Sequence, residues 1–203
     1  QINGEVNYAL EGSVFIAGAA VQWLRDQLGI ISSAPEIELL AETVENNGGI
    51  TFITAMAGLG APYWDPQATA SIFGITRGTK KGHIARATLE AIAMRTKEII
   101  TAMQKDANII FKSLKVDGGG STNNLLMQIQ SNLLGVDVIR PKITETTALG
   151  AAFFAGLSSG YWASIESLSN IWKVDKKFNP IQSEQNQKII DNWDQCIKKV
   201  INS

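Results

Sequence analysis

Gly118, Gly119 and Gly120 stand between a short apolar run, Leu114 to Val116, and the polar cluster Ser121-Thr122-Asn123-Asn124. Beyond the cluster, Leu125, Leu126, Ile129, Leu133 and Leu134 recur at helical spacing, and Gly135 follows as a stop. The stretch reads as strand, glycine bend, helix. Glycines let a backbone come close to a ligand, and a helix start offers N–H groups to an anion. Ser121, Thr122 and Asn123 are also good capping residues, and Asn123 can exchange hydrogen bonds with a base or ribose. On spacing alone, a nucleotide site and an ordinary tight turn fit equally.

Known phosphate motifs are not satisfied. The bend lacks the Gly-Lys-Ser/Thr ending of a Walker loop, and Asn123 stands where the dinucleotide fingerprint needs a glycine. Other reactive groups are sparse. His83 is the one histidine; it opens a long helical pattern and reads as a surface or capping residue, not a general base. Arg77 and the pair Lys80-Lys81 could meet phosphate but fit a solvated turn better. Asp65 and Asp117 flank glycine-rich turns, yet two acids on separate segments do not make a metal site. A two-metal nuclease needs several clustered carboxylates, and the strand segments supply only Asp117. No Gly-x-Ser-x-Gly elbow supports a hydrolase triad. One cysteine, Cys196, excludes an internal disulfide, makes a zinc site improbable and reads as a half-buried helix residue.

The elements that must position the bend follow from periodicity. Val6 to Val14 reads as a strand with Gly12 a candidate bulge, Phe15 to Leu28 as a helix, and Glu36 to Asn46 as a helix begun by Ser32, Ser33 and Pro35. Ile50–Thr54 and Ala70–Thr76 are β-branched, apolar runs, hence strands. Between them lies the Gly- and Pro-dense segment Ala57 to Pro66, long enough to be functional. Lys81 to Met103 is the longest helical pattern, with Ile84, Leu89, Ile92, Ile99 and Met103 inward. After the bend come a strand, Val136–Arg140, and a helix from Thr144 or Thr146 to Leu157. The small residues of that helix suit a wall beside a ligand cleft and suit core packing equally. A last helix, Glu184 to Asn202, carries Ile189, Trp193, Ile197 and Val200 on one stripe. Strands first, then strands alternating with helices, imply an α/β fold with a mixed sheet covered by helices.

At 203 residues with a formal charge of −1, the chain fits one large domain and excludes a polyanion-binding protein, so no nucleic-acid partner is expected. No apolar run reaches the roughly 20 residues of a membrane span, and no secretory signal is visible. A lone thiol fits a reducing compartment, and the expected location is cytoplasmic. Asn3-Gly4 is a hairpin-turn pair with two residues before it, so a partner strand upstream is expected, and strand 6–14 is expected to expose an edge and self-associate.

The motifs together resemble one family. Ala70-Ser71-Ile72-Phe73-Gly74-Ile75 followed by His83-Ile84-Ala85-Arg86-Ala87-Thr88-Leu89-Glu90 resembles the C-terminal signature of the FGGY carbohydrate kinases. Gly58 to Pro66 and Phe73 to Gly78 are similar to the branch of that family that phosphorylates glycerol. Tyr8 to Gly12, Gln22 to Asp26, Val116 to Asn124 and Thr146 to Ala152 add to the match, which runs from about Glu5 to the final helix.

The resemblance implies a ribonuclease H-like, actin-like ATPase fold, with residues 1–203 forming the second, C-terminal domain and the N-terminal domain lying upstream. It implies a two-domain cleft with ATP held mainly against this second domain, Mg²⁺ held largely by the other domain, glycerol as acceptor, and a homo-oligomeric parent. By motif position, Gly18, Gln22, Gly119 and Asn123 correspond to nucleotide-contacting residues. The catalytic aspartate of the family lies upstream of residue 1, so this chain alone is expected to be inactive. Alternative readings are a kinase of the same family acting on a pentose or polyol, and a non-catalytic actin-like nucleotide-binding module.

Overall fold

The computed structural model describes residues 6, 8–169 and 171–201. The first two helices are α1, Gly18–Asp26, and α2, Glu36–Glu42. In α1, Ala20 and Leu24 are one helical turn apart and both are fully buried. Two short strands follow, β1 (Thr51–Ile53) and β2 (Ser71–Phe73), paired antiparallel with Phe52 opposite Ile72. Helix α3, Lys81–Ala107, is the axis of the molecule. Its run of alanines, Ala85, Ala87, Ala91 and Ala93, is buried, which lets neighbouring helices approach closely. Leu89 and Met94 complete its inner face; truncating either to Ala costs roughly 2–5 kcal/mol.

Strand β3 (Ser113–Lys115) enters the glycine bend, and a single 3-10 turn, Gly119–Thr122, leads into α4, Asn124–Leu134. Helix α4 crosses over to β4, Asp137–Pro141, which lies parallel to β3 with Leu114 opposite Val138. Parallel neighbours require such a crossover. Helix α5 (Thr146–Ser158) and the single turn α6 (Ile165–Leu168) follow, then β5, Val174–Phe178, antiparallel to β4. Helix α7, Glu184–Val200, closes the chain with Ile189, Trp193, Ile197 and Val200 buried as one stripe. Among the described residues the strands form a two-stranded ribbon and a separate three-stranded mixed sheet ordered β3-β4-β5. The core runs between α3, α4, β4 and α7.

Several sequence expectations are corrected. Val6 and Tyr8–Val14 are irregular, not a strand, because no described segment supplies a ladder; Tyr8 and Leu10 stay exposed. Gly12 is therefore no bulge: it presses against α3, where an added Cβ collides with Ile99 and sits 2.9 Å from Met103 Sδ. The expected exposed edge lapses with the strand; Asn3-Gly4 lies outside the described residues. Helix α2 ends at Glu42 rather than Asn46, and α1 begins at Gly18 rather than Phe15. In α5 only Gly156 is buried, under the Trp162 ring, so the other small residues of the helix are not buried in the core of the described residues.

Candidate functional site

The glycine bend has two kinds of glycine. Gly118 has φ +72° and ψ 177°, a conformation essentially closed to side chains, and its N–H is fixed to Thr144 O at 2.8 Å. Gly118 is thus required by the turn. Gly119 and Gly120 are not: neither has a left-handed φ, and a Cβ built on either meets no atom within 4 Å. The same is true of Gly18 at the start of α1. Neither this chain's conformation nor its packing accounts for these three residues.

Helix α4 begins only at Asn124, because Ser121 and Thr122 cap backwards. Ser121 Oγ donates to Gly118 O and Thr122 Oγ1 to Gly119 O, both at 2.7 Å, which closes the 3-10 turn. Asn123 is the helix cap, its Oδ1 accepting from Leu126 N at 2.7 Å. The preceding amide in use, Leu125 N, donates to Glu38 Oε1 of α2 at 2.9 Å. The α4 start therefore does not act as the open anion site that the bend suggested; a cap and a carboxylate already take two of its amides. The amides of Gly119 and Gly120, which open the 3-10 turn, make no hydrogen bond with the described residues.

Arg140, on β4, holds this arrangement from behind. Its Nη1 donates to Ser121 O at 2.8 Å and to Thr122 O at 3.2 Å, and its Nε and Nη2 meet Asp175 on β5 at 2.8 Å. A planar guanidinium can bridge two carbonyls and a carboxylate at once, whereas an ammonium cannot hold the same fork.

In front of the bend lies a cavity of about 360 Å³. Its apolar wall comes from Ile37, Leu89, Ile92 and Leu126. Its rim brings together Gly18, Gln22, Gly119 and Asn123, all four residues expected from the sequence, although more than ninety positions separate the α1 pair from the bend pair. An apolar slot with a few convergent polar groups suits a small organic ligand.

A larger cavity, about 620 Å³, lies beside the loop carrying Ala61 to Trp64. At its centre, polar groups are tied to one another. Glu98 accepts from Tyr63 Oη and from Trp193 Nε1 (2.7 Å) and pairs with Arg95, whose Nη2 donates to Ala61 O at 2.9 Å. Burial first, and then the Glu98 carboxylate, push the Tyr63 hydroxyl well above its ordinary range. Lys97 Nζ is given to Leu133 O at 2.9 Å. This knot ties loop 57–66 to α3 and α7.

Other candidates take structural roles. His83 Nδ1 accepts from Lys80 N at 3.1 Å, so it caps α3 as expected. Asp65 Oδ1 accepts from Gln67 N and Ala68 N, closing its own turn. Cys196 is buried and unoxidised in α7. Among the described residues no group of three or more His, Cys, Asp or Glu side chains could hold a metal ion.

Residues 2–159 match the C-terminal domain of the FGGY family of carbohydrate kinases. The chain belongs to this family. The FGGY chain is 55% identical over 200 residues to a glycerol kinase of Deinococcus radiodurans, covering 98% of this chain and 40% of the relative. It is 55% identical over 198 residues to a glycerol kinase of Saccharolobus islandicus, covering 97% and 40%. Among solved structures it superposes on Plasmodium falciparum glycerol kinase with ADP at a TM-score of 0.82 and 33% identity, over 90% of this chain and 37% of that one. A xylulose kinase of Lactobacillus acidophilus shares the fold at a TM-score of 0.76 and 21% identity. The FGGY chain has the ribonuclease H-like, actin-like ATPase fold of these kinases and spans about 40% of the length of the relatives it matches.

Sequence reasoning missed Glu38 and Arg140. Both act on backbone amides and carbonyls of segments remote in sequence, and no spacing rule reports such contacts.

Proposed function

We propose that this chain is the second, C-terminal domain of an ATP-dependent glycerol kinase, supplying the adenine-nucleotide surface of a two-domain cleft. The observation that carries this reading is the convergence of Gly18, Gln22, Gly119 and Asn123 on one cavity, at positions whose glycines the chain itself does not need. The matches to glycerol kinases of Deinococcus and Saccharolobus favour glycerol over a pentose as acceptor. The ADP-bound Plasmodium neighbour supports a nucleotide as the occupant.

In this reading the base lies against Leu89, Ile92 and Leu126, and the sugar and phosphates pass Gly119 and Gly120, whose missing side chains admit the ligand and whose amides face it. Gln22 lies across the slot from the bend, on the α1 rim. This chain positions the donor; phosphoryl transfer depends on positioning and charge stabilisation, and the attacking hydroxyl and its base belong to the opposite side of the cleft. Mg²⁺ accompanying the nucleotide would be held by the phosphates and by side chains of the other domain, since the described residues offer no metal cage. A cytoplasmic location is part of the same proposal. No helix among the described residues is long and apolar enough to cross a membrane.

Two assays test the reading. The full-length protein phosphorylates glycerol in preference to xylulose or gluconate, and this 203-residue chain alone gives no turnover in a coupled ADP assay. A full-length protein that prefers a pentose, or turnover by the chain alone, contradicts it.

A further inference from the structure

Glu38 and Asn123 reach the same slot from opposite elements. Glu38 Oε1 takes the Leu125 amide at 2.9 Å and Asn123 Oδ1 takes the next amide, Leu126, at 2.7 Å. The two side chains thus take consecutive amides of one helix start. Each head then has one atom left. Glu38 Oε2 and Asn123 Nδ2 have no hydrogen bond with the described residues, and both residues line the cavity. The caps fix the assignment: because Asn123 Oδ1 is held by an N–H donor, its other head atom must be the donor. Glu38, part-buried and held in place by the same helix start, presents an acceptor.

A neighbouring acceptor and donor read one edge of a purine. Adenine shows a donor, the exocyclic amine, beside an acceptor, N1 or N7. Guanine and hypoxanthine show an oxygen where that amine is, and an acceptor there faces the Glu38 carboxylate. We propose that Glu38 is a specificity-determining residue: its carboxylate accepts the exocyclic amine of adenine while Asn123 Nδ2 donates to the adjacent ring nitrogen, so the site selects adenine over 6-oxopurine nucleotides. This rests on the nucleotide-site reading above and adds to it which base is taken and by which residue.

The test varies the base and the residue in the full-length protein, with dissociation constants measured by calorimetry. ATP, inosine triphosphate and purine riboside triphosphate (which lacks the amine) are compared. Wild type is expected to bind ATP roughly tenfold or more tightly than either analogue, the loss typical of a hydrogen bond to a charged group. Glu38→Gln, whose amide can keep the Leu125 contact and turn a donor into the slot, is expected to erase most of that ratio by weakening ATP and strengthening inosine triphosphate. The analogues probe the same contact without any mutation, so a poorly folding variant does not blunt the test. Equal binding of all three nucleotides by wild type, or an unchanged ratio in Glu38→Gln, overturns the proposal. Gly119→Val separates the two readings. If it leaves ATP affinity unchanged, the nucleotide site itself is wrong; if it abolishes affinity while the amine makes no difference, only the role of Glu38 is wrong.

Discussion

At Gly74 and Gly82 an added methyl group runs into the chain itself. On Gly74, at φ +83°, it collides with Gly49 O, and on Gly82 it lies 2.5 Å from Thr43 Oγ1 and 2.8 Å from Leu40 O. At Gly18, Gly119 and Gly120 the same methyl group meets nothing within 4 Å. The first pair lies where the β1–β2 ribbon and the α2–α3 contact are closest, so folding needs those glycines. The second set rims one cavity and folding is indifferent to it. The difference teaches where to look for an external ligand: at glycines with room around them and no backbone reason to be glycine.

The contrast can be broken by substitution. Gly74→Ala combines a strained φ with a backbone collision and is expected to cost roughly 3 kcal/mol or more, read as a lower urea midpoint. Gly82→Ala, an overpacked helix contact, is expected to cost about 1–3 kcal/mol. Comparable losses at Gly18 or Gly119 would erase the distinction.

The packed region also has a pH signature. Glu90 is buried beside Asn47, whose Nδ2 donates to it at 2.6 Å; burial pushes its carboxyl up to about 7, and the Asn47 bond and Arg86 only partly offset this. A raised acid favours the folded state while it is protonated. Stability is therefore greatest below the ordinary carboxyl value of 4.5 and falls as pH rises towards about 7. The loss is on the order of 2–3 kcal/mol, and Glu90→Gln is expected to flatten it in denaturation curves between pH 4.5 and 8. An unchanged slope would place the titrating group elsewhere.

On the open side the effects are on binding. Gly119→Val is expected to weaken ATP tenfold or more by calorimetry while stability stays within about 0.5 kcal/mol. Asn123 sharpens the point because the proposal gives it a second job beside its cap. Asn123→Ala is expected to lose the cap, about 1 kcal/mol, and nucleotide affinity together. Asn123→Asp keeps the cap acceptor but replaces the free donor with charge, so stability is expected to hold while affinity falls. Equal affinity in wild type and Asn123→Asp would confine this residue to capping.

The strand–bend–helix order was legible because its signals are local: a short apolar run, three glycines, a cap and an apolar stripe. The helix α3 and the stripe of α7 were legible for the same reason. Strand β5 was not, since Asp175, Lys176 and Lys177 carry no apolar signal and only the ladder with β4 makes them a strand. The alternation at Val6, Tyr8 and Leu10 misled in the opposite direction, because a strand pattern without a partner has no ladder. Within the site, the glycines of the bend and Asn123 could be found from type and spacing, whereas Gly18 and Gln22 came only from the family resemblance. Glu38 and Arg140 could not, because their partners, Leu125 N and the carbonyls of Ser121 and Thr122, are backbone atoms any sequence would offer.

The most direct measurement is an ADP titration followed by amide NMR shifts. The expected result is saturable shifts at Gly119, Gly120 and Asn123 together with Gly18 and Gln22 across the slot. Shifts confined to the larger cavity around Tyr63 and Glu98, or none at the bend at saturating ADP, would contradict the account.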